Sequence, residues 1–296
     1  VTLLAPRPTD LGGFVVRRLL PQRPRRMVGA WCFLDLLGPV EVRRDGALDV
    51  PPHPHMGLQT VTWLLEGEAL HKDSLDSEAL ARPGMLNLMT SGGGIAHAEE
   101  TPPAHTERLH LVQLWVALPD AHRHGPAAFD HYPERPQVEL AGGRATVILG
   151  ALAGTTAPAR IFSPLLAAEV VVDRGAGVTL PLDASFEHGI VPLVGACAVD
   201  GRAVSTDHLL YLEPGRAELP LSSVEGAARV LLLGGAPFGE PILMWWNFVA
   251  RTTDEVMAAR EDWQAGARFG EVRRYAGQRL DAPAFVARPV PANPMS

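Results

Sequence analysis

Short apolar runs broken by turn residues dominate this chain. Gln59–Leu65, Val112–Leu118, Ala145–Leu149, Glu169–Val172 and Arg229–Leu233 are rich in Val, Leu, Thr and Trp. Runs of this length and make-up, bounded by Gly and Pro, predict β-strands. With 29 Gly and 27 Pro scattered between them, the pattern predicts an all-β sandwich or barrel. Helical periodicity is confined to the C-terminal end. Thr252 followed three residues later by Glu255 has the form of a capping box, and Asp254 adds negative charge near the helix N-terminus. Val256, Ala259, Arg260 and Trp263 fall on one face, and Gly266 is the expected stop. The Pro-rich tail Asp281–Ser296 is expected to wrap the surface or fray.

A weak internal echo suggests two copies of one barrel. Leu64-Leu65-Glu66-Gly67 has a counterpart in Leu193-Val194-Gly195-Ala196, and Arg82-Pro83-Gly84-Met85 resembles Glu213-Pro214-Gly215-Arg216. The expected domains are 1–135 and 136–296, with the polar, Pro-rich stretch His122–Pro136 as linker.

Composition narrows the function classes. The chain has 296 residues, 47% hydrophobic and 20% charged, with a net charge of -7. An acidic balance argues against direct nucleic-acid binding. Arg17, Arg18, Arg23, Arg25 and Arg26, with Arg43 and Arg44 nearby, form a basic stretch. It reads as a solvated surface or as a contact for an anionic partner. Cys32 and Cys197 belong to no CxxC motif, which fits a reducing cytoplasm. No apolar run is long enough to span a bilayer, and Val1–Ala5 is too short for a signal h-region. A cytoplasmic protein without membrane contact is expected.

The chemistry concentrates in two dyads, His53-Pro54-His55 and His97-Ala98-Glu99. Alternate residues of a strand share a face, so each dyad aims two ligands one way. The dyads lie 44 positions apart in sequence, so they meet only if the strands between them fold back. Three imidazoles and a carboxylate would then hold one divalent metal ion with positions open for chemistry. Gly92-Gly93-Gly94 just before His97 suits a close backbone approach beside such a site. His71, His105 and His110 are candidates to orient the ligands, with His110, inside an apolar run, the first choice. In the second half His188 and His208 each lack an i, i+2 ligand, so that half reads as a barrel kept for packing.

HPHMGLQTVTWLLEGEALHKDS, followed by RPGMLNLMTSGGGIAHAEE, resembles the pirin family of the cupin superfamily. The likeness extends to GAWCFLDLLGP at Gly29–Pro39, HLVQLWVALP at His110–Pro119 and PFGEPILMWWNFVAR at Pro237–Arg251. The resemblance implies a bicupin, two β-barrels with a short C-terminal helix and one metal in the N-terminal barrel. It places the family's metal ligands on His53, His55, His97 and Glu99 and suggests Fe(II). The donor set itself also suits Mn, Co, Ni, Cu or Zn. Two departures stand out. Gln59 occurs where many cupins carry Glu, and Asp35-Leu36-Leu37-Gly38-Pro39 stands for the usual pirin DHFGP.

The implied activity is a quercetin 2,3-dioxygenase-like cleavage of a planar phenolic substrate by O₂, with Glu99 as the catalytic base. The alternative is a metal-dependent regulatory protein that binds a transcription factor or metabolic enzyme. A monomer is expected from the family.

Overall fold

In the computed structural model the apolar runs resolve into two copies of one strand plan. Residues 1–10, 14–42 and 48–285 are described, with the backbone of 290–292. Arg43, Arg44 and most of the tail beyond Phe285 lie outside them.

The first copy comprises β1 (Asp49–His55), β2 (Leu58–Glu66), β3 (Ala69–Asp73), β4 (Glu78–Ala81), β5 (Leu86–Thr90), β6 (Ile95–Glu100) and β7 (Arg108–Ala117). The second comprises β8 (Gly177–Pro181), β9 (Glu187–Val194), β10 (Cys197–Val199), β11 (Arg202–Val204), β12 (Leu209–Leu212), β13 (Glu218–Ser223) and β14 (Ala228–Gly235). In the first copy one sheet runs β1-β6-β3-β4 and the other contains β5-β2-β7. In the second the corresponding orders are β8-β13-β10-β11 and β12-β9-β14. All the pairings between these strands are antiparallel. The architecture is all-β, built from two like strand sets, with one helix among the described residues, α1 (Thr253–Gln264).

The repeat corrects the sequence echo in one respect. Gly67 and Gly195 do close β2 and β9, both with positive φ. Pro83-Gly84, however, precedes β5, whereas Pro214-Gly215 follows β12. The turn entering β12 is at Thr206-Asp207, where Asp207 takes φ of 65°. Asp tolerates the left-handed conformation that Gly84 adopts elsewhere, so the turn is kept while the Pro-Gly signature is lost.

The compact units are discontinuous. One joins Val1–Leu36 to Glu134–Phe238, the other Leu37–Pro133 to Gly239–Ser296. These units cut across the contiguous division 1–135 and 136–296 expected from the sequence. In the first unit Thr2–Leu4 pairs with β12, a long-range contact that local periodicity does not reveal. The expected linker is also partly strand, because Ala128–Tyr132 pairs with β5.

Helix α1 follows its sequence signals. Thr252 is the N-cap and accepts a bond from the Glu255 amide, and Val256, Ala259 and Trp263 are buried. The Glu255 carboxylate accepts from the Arg251 amide at 2.8 Å and from Arg123. These bonds replace the reciprocal one of a capping box. The helix packs with Trp245, Phe248 and Phe269 against Ala96 and Ala98 of β6. Trp245 belongs to the same apolar cluster as Ala96 and Ala98.

Much of the basic stretch is tied up inside the first unit. Arg17 pairs with Asp207, Arg18 makes two bonds to Asp35, and Arg25 lies 3.6 Å from the Tyr211 ring centroid near Glu187. Among the described residues, no helix is long and apolar enough to cross a membrane.

Candidate metal centre

β1 and β6 bring the two histidine dyads together. They pair antiparallel, with His97 opposite His53 and Ile95 opposite His55. Pro54 and Ala96 point to the opposite face, as strand alternation requires. The register then slips, and Glu99 pairs with Val50. Three steps on β1 thus match two on β6, and the extra residue falls at Pro51-Pro52. Proline cannot donate to a ladder, so a bulge there forfeits little. It leaves the Pro51 carbonyl to accept from His53 Nδ1 at 2.9 Å.

Each imidazole is held through Nδ1. His55 Nδ1 bonds the Asn247 carbonyl at 3.1 Å, and His97 Nδ1 meets His71 Nδ1 at 3.3 Å. His71 Nε2 in turn lies 3.0 Å from Asp73 Oδ2. One tautomer assignment satisfies this chain: His97 donates to His71, and His71 donates to Asp73. Donation from Nδ1 leaves Nε2 with its lone pair free for coordination. Donor nitrogens of His53, His55 and His97 all lie within 4.8 Å of one another. His97 Nε2 is buried without a hydrogen-bond partner, an orphan that a bound cation would satisfy. The donor set therefore fits a metal ion, which these three histidines could hold.

Burial sets the charge state of the site. It pushes the His53 imidazole down to about 4 and holds His55 and His97 well below the ordinary range, with neighbouring histidines adding to the effect. All three are neutral at pH 7, the form that binds metal. Burial acts to raise Asp73 as well, but bonds from His71, Ser77 and Leu75 prevail and hold its carboxyl below the usual range.

Glu99 stands apart from the triad: its carboxylate is outside the set of mutually close donors. Glu99 Oε1 accepts from the Thr62 hydroxyl at 3.2 Å, and burial raises its carboxyl above the usual range. The edge of His55 packs on Trp115 of β7. At Gly92, with φ of 48°, an added Cβ would come within 2.1 Å of the Gly125 carbonyl oxygen, so the glycine run does serve a close backbone approach.

The residue that orients His97 is His71. His71 is buried, bonded to His97, and stacked on Phe129 with ring centroids 4.1 Å apart. His105 is half-buried and bonds the Thr106 carbonyl. The sequence signal was present, since His71-Lys72-Asp73 is itself an i, i+2 pair on a strand.

The second barrel differs in its lining. On β8 and β13 the core positions are Val178, Leu180, Leu219 and Leu221. Aliphatic side chains fill the strands that correspond to the histidine-bearing β1 and β6. His208 bonds the Thr206 carbonyl.

Residues 13–116 match the family Pirin, and residues 167–270 match the Pirin C-terminal cupin domain. A Pseudomonas aeruginosa protein named "Putative quercetin 2,3-dioxygenase PA1205" is 50% identical over 92% of this chain and 86% of its own length. A pirin-like protein of Caulobacter vibrioides is 37% identical over 87% of this chain and 90% of its own. The crystal structure of a quercetin 2,3-dioxygenase from Acinetobacter baumannii has a TM-score of 0.94, with 43% identity, covering 99% of this chain and 98% of that one. The two matched domains, the double strand plan and the three-histidine cluster lead to one conclusion: this chain belongs to the pirin family.

Proposed function

We propose that this protein is a metal-dependent dioxygenase that opens flavonols such as quercetin with O₂. It would hold one Fe(II) on the Nε2 atoms of His53, His55 and His97, and Glu99, whose carboxylate lies outside that triad, would serve as the base. The observation that carries this reading is the convergence of three buried, neutral imidazoles whose Nδ1 atoms are already engaged. The relatives named for quercetin 2,3-dioxygenase support the choice of substrate class.

A bound divalent ion would supply Lewis acidity that makes the flavonol 3-hydroxyl easier to ionise. The protein's own groups do the rest. The Pro51 and Asn247 carbonyls and the His71–Asp73 pair fix the imidazole orientations. Glu99 takes the hydroxyl proton. Burial raises its affinity for that proton, and Thr62 anchors Oε1 and leaves Oε2 to receive it. Ring opening adds both atoms of O₂ to the flavonol and releases carbon monoxide, leaving a depside. Cys32 and Cys197 are buried thiols, which supports a reducing compartment such as the cytoplasm.

The test is anaerobic loading with Fe(II), then quercetin and air. Oxygen uptake, loss of flavonol absorbance and release of carbon monoxide are expected. Glu99→Gln should lower kcat by about 10²–10⁴-fold. Absence of turnover with Fe, Mn, Co, Ni and Cu alike would refute flavonol cleavage.

A further inference from the structure

The proposed reaction uses no residue of the second barrel, yet that barrel buries a histidine. His188 is 0% exposed, and neither of its ring nitrogens has a hydrogen-bond partner. Native proteins rarely leave a buried polar group so, because its desolvation is uncompensated.

Its place in the fold is informative. His188 is the second residue of β9, opposite Leu212 on β12 and Gly234 on β14. Gln59 holds the corresponding place in β2, opposite Thr90 on β5 and Val116 on β7. There Gln59 Nε2 donates to the Thr90 hydroxyl at 2.9 Å. In the second barrel a polar group is kept, but Leu212 replaces the partner hydroxyl and Gly234 replaces the bulk of Val116. A Cβ on Gly234 would lie 3.1 Å from His188 Cδ2, 3.3 Å from Phe186 Cδ2 and 3.4 Å from Leu166 Cβ. The glycine thus leaves a cradle beside the imidazole.

A recess shares two of its neighbours, though not the imidazole itself. Phe186 and Leu166 also line a space of about 240 Å³ with Leu152, Pro181, Leu182 and Asp183. An apolar cavity of roughly 150 Å³ accepts benzene, so this one has room for a single substituted ring. Burial holds His188 down at about 4, so at pH 7 it offers one N–H and one lone pair. Asp183, held below the usual range by bonds from Ser185, keeps a negative charge at the rim. That charge disfavours anionic ligands.

We propose that the second barrel binds a small neutral phenol, its ring between Phe186 and Leu166 and its hydroxyl bonded to His188. Phe186, half-buried with its ring centroid 6.3 Å from that of His188, turns aside to admit the hydroxyl. The site is independent of the metal centre and of the reaction proposed for it.

Phenol titrated into the full-length protein, with the His188 ring ¹⁵N resonances followed by NMR, tests this. A saturable shift of those resonances is expected in the wild type and, unchanged, in His97→Ala. His188→Leu should bind phenol about tenfold more weakly while benzene binding is retained. Gly234→Ala should weaken both, and benzoate should bind the wild type at least about tenfold worse than phenol. His188 resonances unmoved by phenol would overturn the proposal, as they would be if a trapped water already satisfied the ring. So would equal phenol affinity in His188→Leu, or a shift that disappears in His97→Ala.

Discussion

His97 Nε2 is buried without a partner while Nδ1 rests on His71. That asymmetry implies that the His71–Asp73 pair governs metal affinity without touching the ion. Removing such an outer partner typically weakens binding 10–100-fold. His71→Leu and Asp73→Asn should each do so in a chelator competition, with folding intact by circular dichroism. An unchanged affinity would mean that His97 orients itself. His188 makes a second prediction at this scale. Its folded pKa of about 4 lies below the ordinary value of 6.5, so the unfolded chain binds the extra proton between those values. The stability due to a neutral buried His188 is therefore fully present above pH 6.5 and lost as pH falls towards 4. Denaturant midpoints measured across that window should fall less steeply for His188→Leu than for wild type. The i, i+2 rule made His53, His55 and His97 legible, because it rests on strand geometry alone. It applied equally to His71 and Asp73. His71 ranks behind His110 in the sequence reading and Asp73 goes unnamed there, because His110 sits in a more apolar run, and apolarity of sequence is a poorer guide to contact than strand parity. The position of Glu99 was less legible. The bulge at Pro51-Pro52 changes the pairing, and its effect on side-chain reach depends on the fold.

At the scale of elements, α1 matters because its buried face backs β6. Ala96 and Ala98 share one apolar cluster with Trp263, Val256 and Ala259, while His97, by strand alternation, faces the other side. Thr252→Ala removes the N-cap bond and should cost about 1 kcal/mol in denaturant unfolding. Trp263→Ala opens a cavity beneath the helix and should cost roughly 3–5 kcal/mol. If metal affinity falls with stability in Trp263→Ala but not in Thr252→Ala, the packing behind β6 holds the ligands in place. The helix could be read from sequence because its cap, its apolar face and its stop are all local. The five predicted apolar runs likewise fall on observed strands, with only Leu118 beyond the end of β7. Ala128–Tyr132 escaped notice because its pairing partner β5 is remote and its composition is mixed.

For the whole molecule, duplication with divergence is the organising feature. The same strand orders carry histidines in one barrel and Val178, Leu180, Leu219 and Leu221 in the other. The discontinuous units were not legible in the sequence. Thr2–Leu4 pairs with β12, Thr2 lying opposite Tyr211, and no periodicity encodes so distant a partner. The central claim is that imidazoles from two remote strands share one cation. Its most direct test is metal analysis of protein reconstituted anaerobically with Fe(II) and freed of excess ion, comparing wild type with His97→Ala. One ion per chain is expected in wild type and a near-complete loss in the variant. A wild-type protein that retains no metal, or a variant that retains as much, would contradict it.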